Sequence, residues 1–232
     1  MAQTSKIEWT NATWNPVTGC TKVSAGCANC YAERMAKRLH AMGHDKYANV
    51  FAPTVHPDTV DDPTHWTKPR MIFVCSMSDL MHEDVPDEFI IRVIGTMSLC
   101  RQHTFQVLTK RSWRLANFAW PDNVWVGVTV EHPDFDDRID QLRAVMHARV
   151  RFISVEPMLG PFETLDVRKI DWVIVGGETG PGARPMKPTW VRDIRDRCVR
   201  QNIPFFFKQW GGPGKRSGRT LDGRTWDEMP RV

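Results

Sequence analysis

The order of apolar runs along this chain predicts an α/β fold: a TIM-like barrel, partial or closed, of six to seven parallel strands with helices outside. Three observations predict it. Six short runs rich in β-branched and aromatic residues follow one another after residue 70. Amphipathic stretches lie between several of them. The runs are apolar nearly throughout, the pattern of strands buried on both faces in a parallel sheet.

The six runs are Met71–Ser76, Phe105–Thr109, Val124–Val130, Arg151–Glu156, Asp171–Gly177 and Pro204–Lys208. Each has the length and composition of a buried strand. Thr13–Thr18 is expected to precede them as the first strand. Asp87–Cys100 places apolar residues at 89, 90, 93, 94 and 97, on one helix face. Phe135–His147 and Thr189–Gln201 are similar, with Thr189 in the place of an N-cap. Gly43–Arg70, rich in Pro, His and Asp, reads as an insertion or lid after the first helix. Gly211–Val232 is basic and glycine-rich and reads as a mobile tail. The expected organisation is one barrel over 1–210, with its insertion at about 43–70, followed by the tail at 211–232.

The chain has 232 residues, 41% hydrophobic and 25% charged, which suits a soluble globular domain. No apolar run approaches the ~20 residues needed to cross a bilayer. Residues 1–6 lack the apolar stretch of a signal peptide. A cytoplasmic location with reduced thiols is therefore expected. The net charge of +4 permits contact with nucleic acid without implying it. No P-loop is present, and Asp134, Asp136 and Asp137 lack the glycine and final glutamate of a calcium loop.

Several strands end in polar residues, and a parallel barrel gathers its strand ends on one rim. On that rim the first loop carries Cys20, Cys27 and Cys30, spaced C-x6-C-x2-C. Gly19 and Gly26 allow this loop to fold back on itself. Closely spaced thiolates suit zinc or iron–sulfur. A closed zinc site takes four ligands, and an ordinary four-iron cluster takes four cysteines. Only three are local here. A fourth iron without a protein ligand would be open to a small molecule.

The segment from Trp14 to Arg34, WNPVTGC…GCANCYAER, resembles the radical S-adenosylmethionine (SAM) superfamily, and more closely the phage-associated three-cysteine proteins. The usual superfamily motif is C-x3-C-x2-C with an aromatic residue beside the last cysteine. Here Cys27, Cys30 and Tyr31 match, and the first gap is three residues longer. The resemblance implies a [4Fe–4S] cluster on Cys20, Cys27 and Cys30, with SAM chelating the fourth iron. Flavodoxin or ferredoxin would supply the electron. SAM cleavage would then yield a radical that takes hydrogen from a substrate, with a nucleotide or nucleic acid as the leading class.

The place of the superfamily's Gly-Gly-Glu-like motif holds Ser76, Ser78 and Asp79, which are expected to receive the SAM amino group. Lys110 is a candidate for its carboxylate, and Thr129 and Glu131 for its ribose. Glu156 is a candidate for SAM or substrate, or for capping the following helix. Gly176 and Gly177 would let backbone approach adenine, or form a simple turn. Cys75 has three readings: core packing, a fourth ligand, or a hydrogen donor to a substrate radical. Lys208, Lys215, Arg216, Arg219 and Arg224, interleaved with Trp210 and Trp226, have two readings, an ordinary basic terminus or a phosphate-binding tail with stacking surfaces. The competing function is a non-catalytic zinc- or cluster-bearing nucleic-acid-binding protein.

Cys75→Ser is expected to keep its iron and its SAM cleavage, measured by iron analysis and chromatography. Loss of iron would instead mark Cys75 as a ligand.

Overall fold

A computed structural model describes residues 3–5, 7–213 and 218–231. Eight strands form the main sheet: β1 (Gln3–Thr4), β2 (Ala12–Trp14), β3 (Met71–Val74), β4 (Thr104–Thr109), β5 (Val124–Thr129), β6 (Val150–Val155), β7 (Trp172–Gly176) and β8 (Phe205–Gln209). They neighbour one another in chain order. β1 pairs antiparallel with β2, and β2 to β8 are parallel throughout. The result is a half-barrel, the partial form of the expected fold. Its helices are α1 (Tyr31–Ala41), α2 (Asp87–Leu99), α3 (Asp137–Arg143) and α4 (Pro188–Arg200).

Alternation divides the core into two layers. Val124, Val126 and Val128 of β5 pack with Ile139 and Leu142 of α3, Ile90 and Val93 of α2, and Val191 and Ile194 of α4. That is the layer between sheet and helices. Trp125 instead joins Trp9, Phe152, Trp172, Ile174 and Phe206 in a second cluster that contains no helix residue. This cluster lines the concave face. Trp172 sits at its centre, with its ring 5.7 to 6.1 Å from those of Trp9, Trp125, Phe152 and Phe206. Gly127 makes room for Phe152, whose ring would lie 2.5 Å from an added Cβ.

Four local differences from the sequence expectation have physical causes. The first parallel strand stops at Trp14, because Pro16 cannot donate to a ladder. Val17–Thr18 instead pairs antiparallel with Thr54–Val55 of the insertion. β3 stops at Val74, where Cys75 turns to φ +59. Thr189 is not the cap of α4: Lys187 is, with Pro188 in the first turn, where its missing N–H costs nothing.

The insertion packs against the rest of the fold. Val60 and Trp66 enter the core, and the Trp14 indole donates to the Thr59 carbonyl at 2.8 Å. The tail is likewise held in place over residues 218–231. Phe207 N donates to Trp226 O at 2.8 Å, and Phe206 bridges antiparallel to Asp227. These contacts cover the outer edge of β8. Trp226 packs on Phe205 and lies beside the Arg195 and Arg224 guanidiniums. Its indole is thus used within the fold and not held out as a stacking surface. Lys215 and Arg216 lie outside the described residues.

Trp172→Ala should destabilise the protein by about 3–5 kcal/mol, the usual cost of removing a large buried aromatic. Denaturant unfolding followed by fluorescence measures it.

Candidate metal centre and cofactor site

The cysteine loop runs from Gly19 to Cys30 and has only one short turn of its own, the 3-10 turn at Ala25–Cys27. Its shape is imposed by neighbours. At its start, Gly19 has φ +80, and an added Cβ would lie 2.1 Å from the Ala52 carbonyl oxygen. Gly19 N donates to Met77 O at 3.1 Å, and Cys20 N to Phe51 O at 3.0 Å. At its end, Cys30 immediately precedes α1, whose dipole favours negative charge at that end.

Three strand ends then hold the loop through buried charge. The first hold is Arg111, just beyond β4, which is 1% exposed. Its Nε donates to Glu83 at 2.7 Å and its Nη1 to Asp79 at 3.3 Å. Nη1 also reaches Cys20 Sγ at 3.4 Å, and Nη2 donates to the Thr21 hydroxyl at 2.8 Å and the Thr21 carbonyl at 3.2 Å. Asp79 additionally accepts from the Thr109 hydroxyl at 2.7 Å and from Met81 N and Lys110 N. Burial pushes the Cys20 thiol up to about 11, Asp79 adding to this and Arg111 opposing it.

The second hold is Glu131, fully buried just past β5. One oxygen accepts from Arg138 at 2.9 Å and the other from the Ser24 hydroxyl. Gly26 permits this approach, since an added Cβ would come within 2.7 Å of Glu131 Oε1. The third hold is Glu178, beyond β7. Its carboxylate accepts from Asn29 at 3.0 Å and from Arg184 Nε and N at 2.9 Å. Arg184 also donates to the Ala25 carbonyl at 3.0 Å. Burial alone would raise the Glu178 carboxyl, but the Arg184 and Asn29 hydrogen bonds outweigh it and hold it at about 2.

The residues expected to bind SAM fall into two groups. Ser76, Ser78, Lys110, Thr129 and Glu156 are near the rim of the concave face or on the adjoining turn. The Ser76 hydroxyl donates to Asn15 at 3.2 Å and the Ser78 hydroxyl to Val17 O at 2.8 Å. With their protons committed, both oxygens keep lone pairs for an ammonium group. The Lys110 ammonium has no partner among the described residues, while Thr129 is buried and its carbonyl accepts from Arg138 at 2.7 Å. Glu156 pairs with Lys208 at 2.9 Å and accepts from Ser154 at 3.0 Å.

The other group is engaged inside the protein. Both oxygens of Asp79 and of Glu131 are occupied as described. The face of Gly176 is taken by Glu156, 2.5 Å from an added Cβ, and that of Gly177 by the Trp210 carbonyl at 1.9 Å. Cys75 is 3% exposed within the helix-side core, and burial pushes its thiol up to about 12. None of the three loop cysteines is in a disulfide. Among the described residues no three His, Cys, Asp or Glu side chains gather closely enough to hold one metal ion.

Sequence reasoning missed Arg111, Arg138, Arg184 and Asn29. Asn29 lies inside the motif, between Cys27 and Cys30. A polar side chain there was the one readable sign that the loop is tied down from outside.

A parallel half-barrel with a three-thiol loop across its strand ends defines the class of this chain, an α/β half-barrel protein. A family described as "Protein of unknown function (DUF5131)" matches residues 4–230, and the chain belongs to that family. No curated protein matches. Among solved structures, the fold is similar to spore photoproduct lyase. One variant of that enzyme aligns with a TM-score of 0.56 at 14% identity, covering 88% of this chain and 64% of the lyase. A second, with bound AdoMet and dinucleoside spore photoproduct, aligns at 0.51 and 12% identity, covering 86% and 64%. A third, complexed with dinucleoside spore photoproduct, gives 0.51 and 13%, covering 96% and 66%. The chain thus spans about 64% of the length of the first of these structures. At these identities the likeness is one of fold.

Glu178 contributes stability that is fully present above its unfolded value of 4.5 and lost as the pH falls toward about 2. Glu178→Gln should therefore show a shallower loss of stability across that window than the native chain. Denaturant unfolding at stepped pH measures the difference.

Proposed function

We propose that this chain is a radical SAM enzyme that carries a [4Fe–4S] cluster on Cys20, Cys27 and Cys30. The observation that carries this reading is the three-way fastening of the cysteine loop. Charge buried at three strand ends fixes a segment bearing three free thiols where a parallel barrel places its chemistry. Thiols spread along a loop suit a cube, in which each sulfur meets a different iron. The likeness in fold to a lyase whose structure holds AdoMet supports the same reading.

The cluster, when bound, supplies the electron that cleaves the sulfonium of SAM. The chain's own residues do the positioning. Ser76 and Ser78 offer acceptors to the SAM amino group, and Lys110 offers an ammonium to its carboxylate. Asp79 and Glu131 act one step removed, by holding Arg111 and Ser24 against the loop. The Glu156–Lys208 pair lies on the concave wall and is assigned to substrate. The proposed substrate is a nucleotide or nucleic acid, by analogy with the dinucleoside held by the lyase. A flavodoxin or ferredoxin is the proposed donor and the cytoplasm the proposed location. No helix among the described residues is long and apolar enough to cross a membrane.

Anaerobic reconstitution with iron and sulfide should give a brown protein with about four irons per chain. On reduction it should convert SAM to methionine and 5′-deoxyadenosine. Ala at any one of Cys20, Cys27 or Cys30 should abolish both. A colourless protein holding one tight zinc would replace this reading with that of a zinc-bearing binding protein.

A further inference from the structure

Arg111 spends all five of its N–H groups inside the protein. They go to Glu83, Asp79, the Thr21 hydroxyl, the Thr21 carbonyl and Cys20 Sγ. A guanidinium has five donors in a rigid plane, so a saturated fork has one orientation. The sulfur of Cys20 is one of the five corners that define it. An arginine that only neutralised Asp79 and Glu83 would not need a sulfur and a threonine as well.

The surroundings remove the usual ways for this fork to relax. His82 is 2% exposed, and its Nδ1 accepts from Asp84 N at 3.0 Å. Its Nε2 therefore carries the proton and donates to the Thr21 hydroxyl at 2.8 Å. Burial first, and the nearby Arg111 charge second, lower the pKa of this ring and so disfavour its charged form. Thr21, the residue after Cys20, is thus gripped by Arg111 and His82 together. Asp79 is pinned in turn by Thr109 and two backbone N–H groups. Partners other than the sulfur therefore fix the orientation of the guanidinium.

We propose that Arg111 is a positioning residue that tunes the cluster by donating a fixed hydrogen bond to the Cys20 sulfur. Hydrogen bonds to cluster sulfurs are one of the levers that set the reduction potential. A donor on Cys20 stabilises the reduced, more negative state and so raises the potential. Asp79 and Glu83 temper that effect by offsetting part of the arginine charge. The proposal rests on the cluster reading above and adds to it a residue outside the cysteine motif.

The test is a redox titration of the reconstituted holoenzyme with dithionite, read by electron paramagnetic resonance. Iron content is measured on the same samples. Arg111→Met should keep its iron and shift to a more negative potential. A tenfold fall in the reduced-to-oxidised ratio at a fixed poise corresponds to about 59 mV. Arg111→Lys, which keeps the charge but loses the planar fork, should shift in the same direction by less. Glu83→Gln, at a half-exposed partner, should shift the opposite way, because it removes a compensating negative charge. Opposite signs are not expected of damage to the fold. Native-like potentials in all three variants, with iron retained, would overturn the role of Arg111 and leave the cluster reading standing. Loss of iron in both Arg111 variants, with no shift in Glu83→Gln, would reduce Arg111 to a structural residue and also overturn it. A native protein that takes up no iron would overturn both.

Discussion

A buried carboxylate must be paired, and three of them, Asp79, Glu131 and Glu178, stand just past the ends of parallel strands in this chain. Each is paired with an arginine: Arg111, Arg138 or Arg184. The arrangement of the mouth follows from that requirement. An ion pair taken out of water gains little net stability, but breaking one by removing a partner is costly. The pairs therefore work less as sources of stability than as fixed points. The cysteine loop is tied to them through Thr21, Ser24, Ala25 and Asn29, so that its position is set by the sheet and not by its own backbone.

The half-barrel explains why these points lie within reach of one loop. Parallel strands place all their carboxyl ends on one side, and twist brings distant strands around toward each other. Glu178 lies 149 residues from Asn29 and still bonds to it. The wide concave face below is filled by indole and phenyl rings centred on Trp172. The abundance of tryptophan has its main use here and in the layer beneath the helices.

Much of the fold could be read from the chain, because apolar runs in a parallel sheet are local signals. β4 to β8 fall where their runs lie, and α2 and α4 where their faces repeat. The ends of elements were less legible. Pro16 and the left-handed Cys75 cut two strands short for reasons that act on one residue each. The cysteine motif was legible by spacing alone. Its supports were not, because each is a contact across the fold. At the end of β4 the sequence offers Lys110 and Arg111 side by side. The sequence singles out the lysine as a ligand, while the arginine, whose neighbours come from 28 to 91 positions away, does the holding. The tail misled for the opposite reason: its glycines and arginines look disordered, yet Trp226 and Asp227 find partners on β8.

That last contact changes what an unclosed barrel means for the molecule. A sheet that stops short of closure leaves a row of hydrogen-bonding groups along its final strand, the kind of template on which neighbouring molecules stack into fibres. In this chain residues 226–228 occupy that row from within. Pairing within the chain thus gives this strand the protection that closure gives every strand of a complete barrel. The incomplete ring is thus covered along its last strand by the same chain.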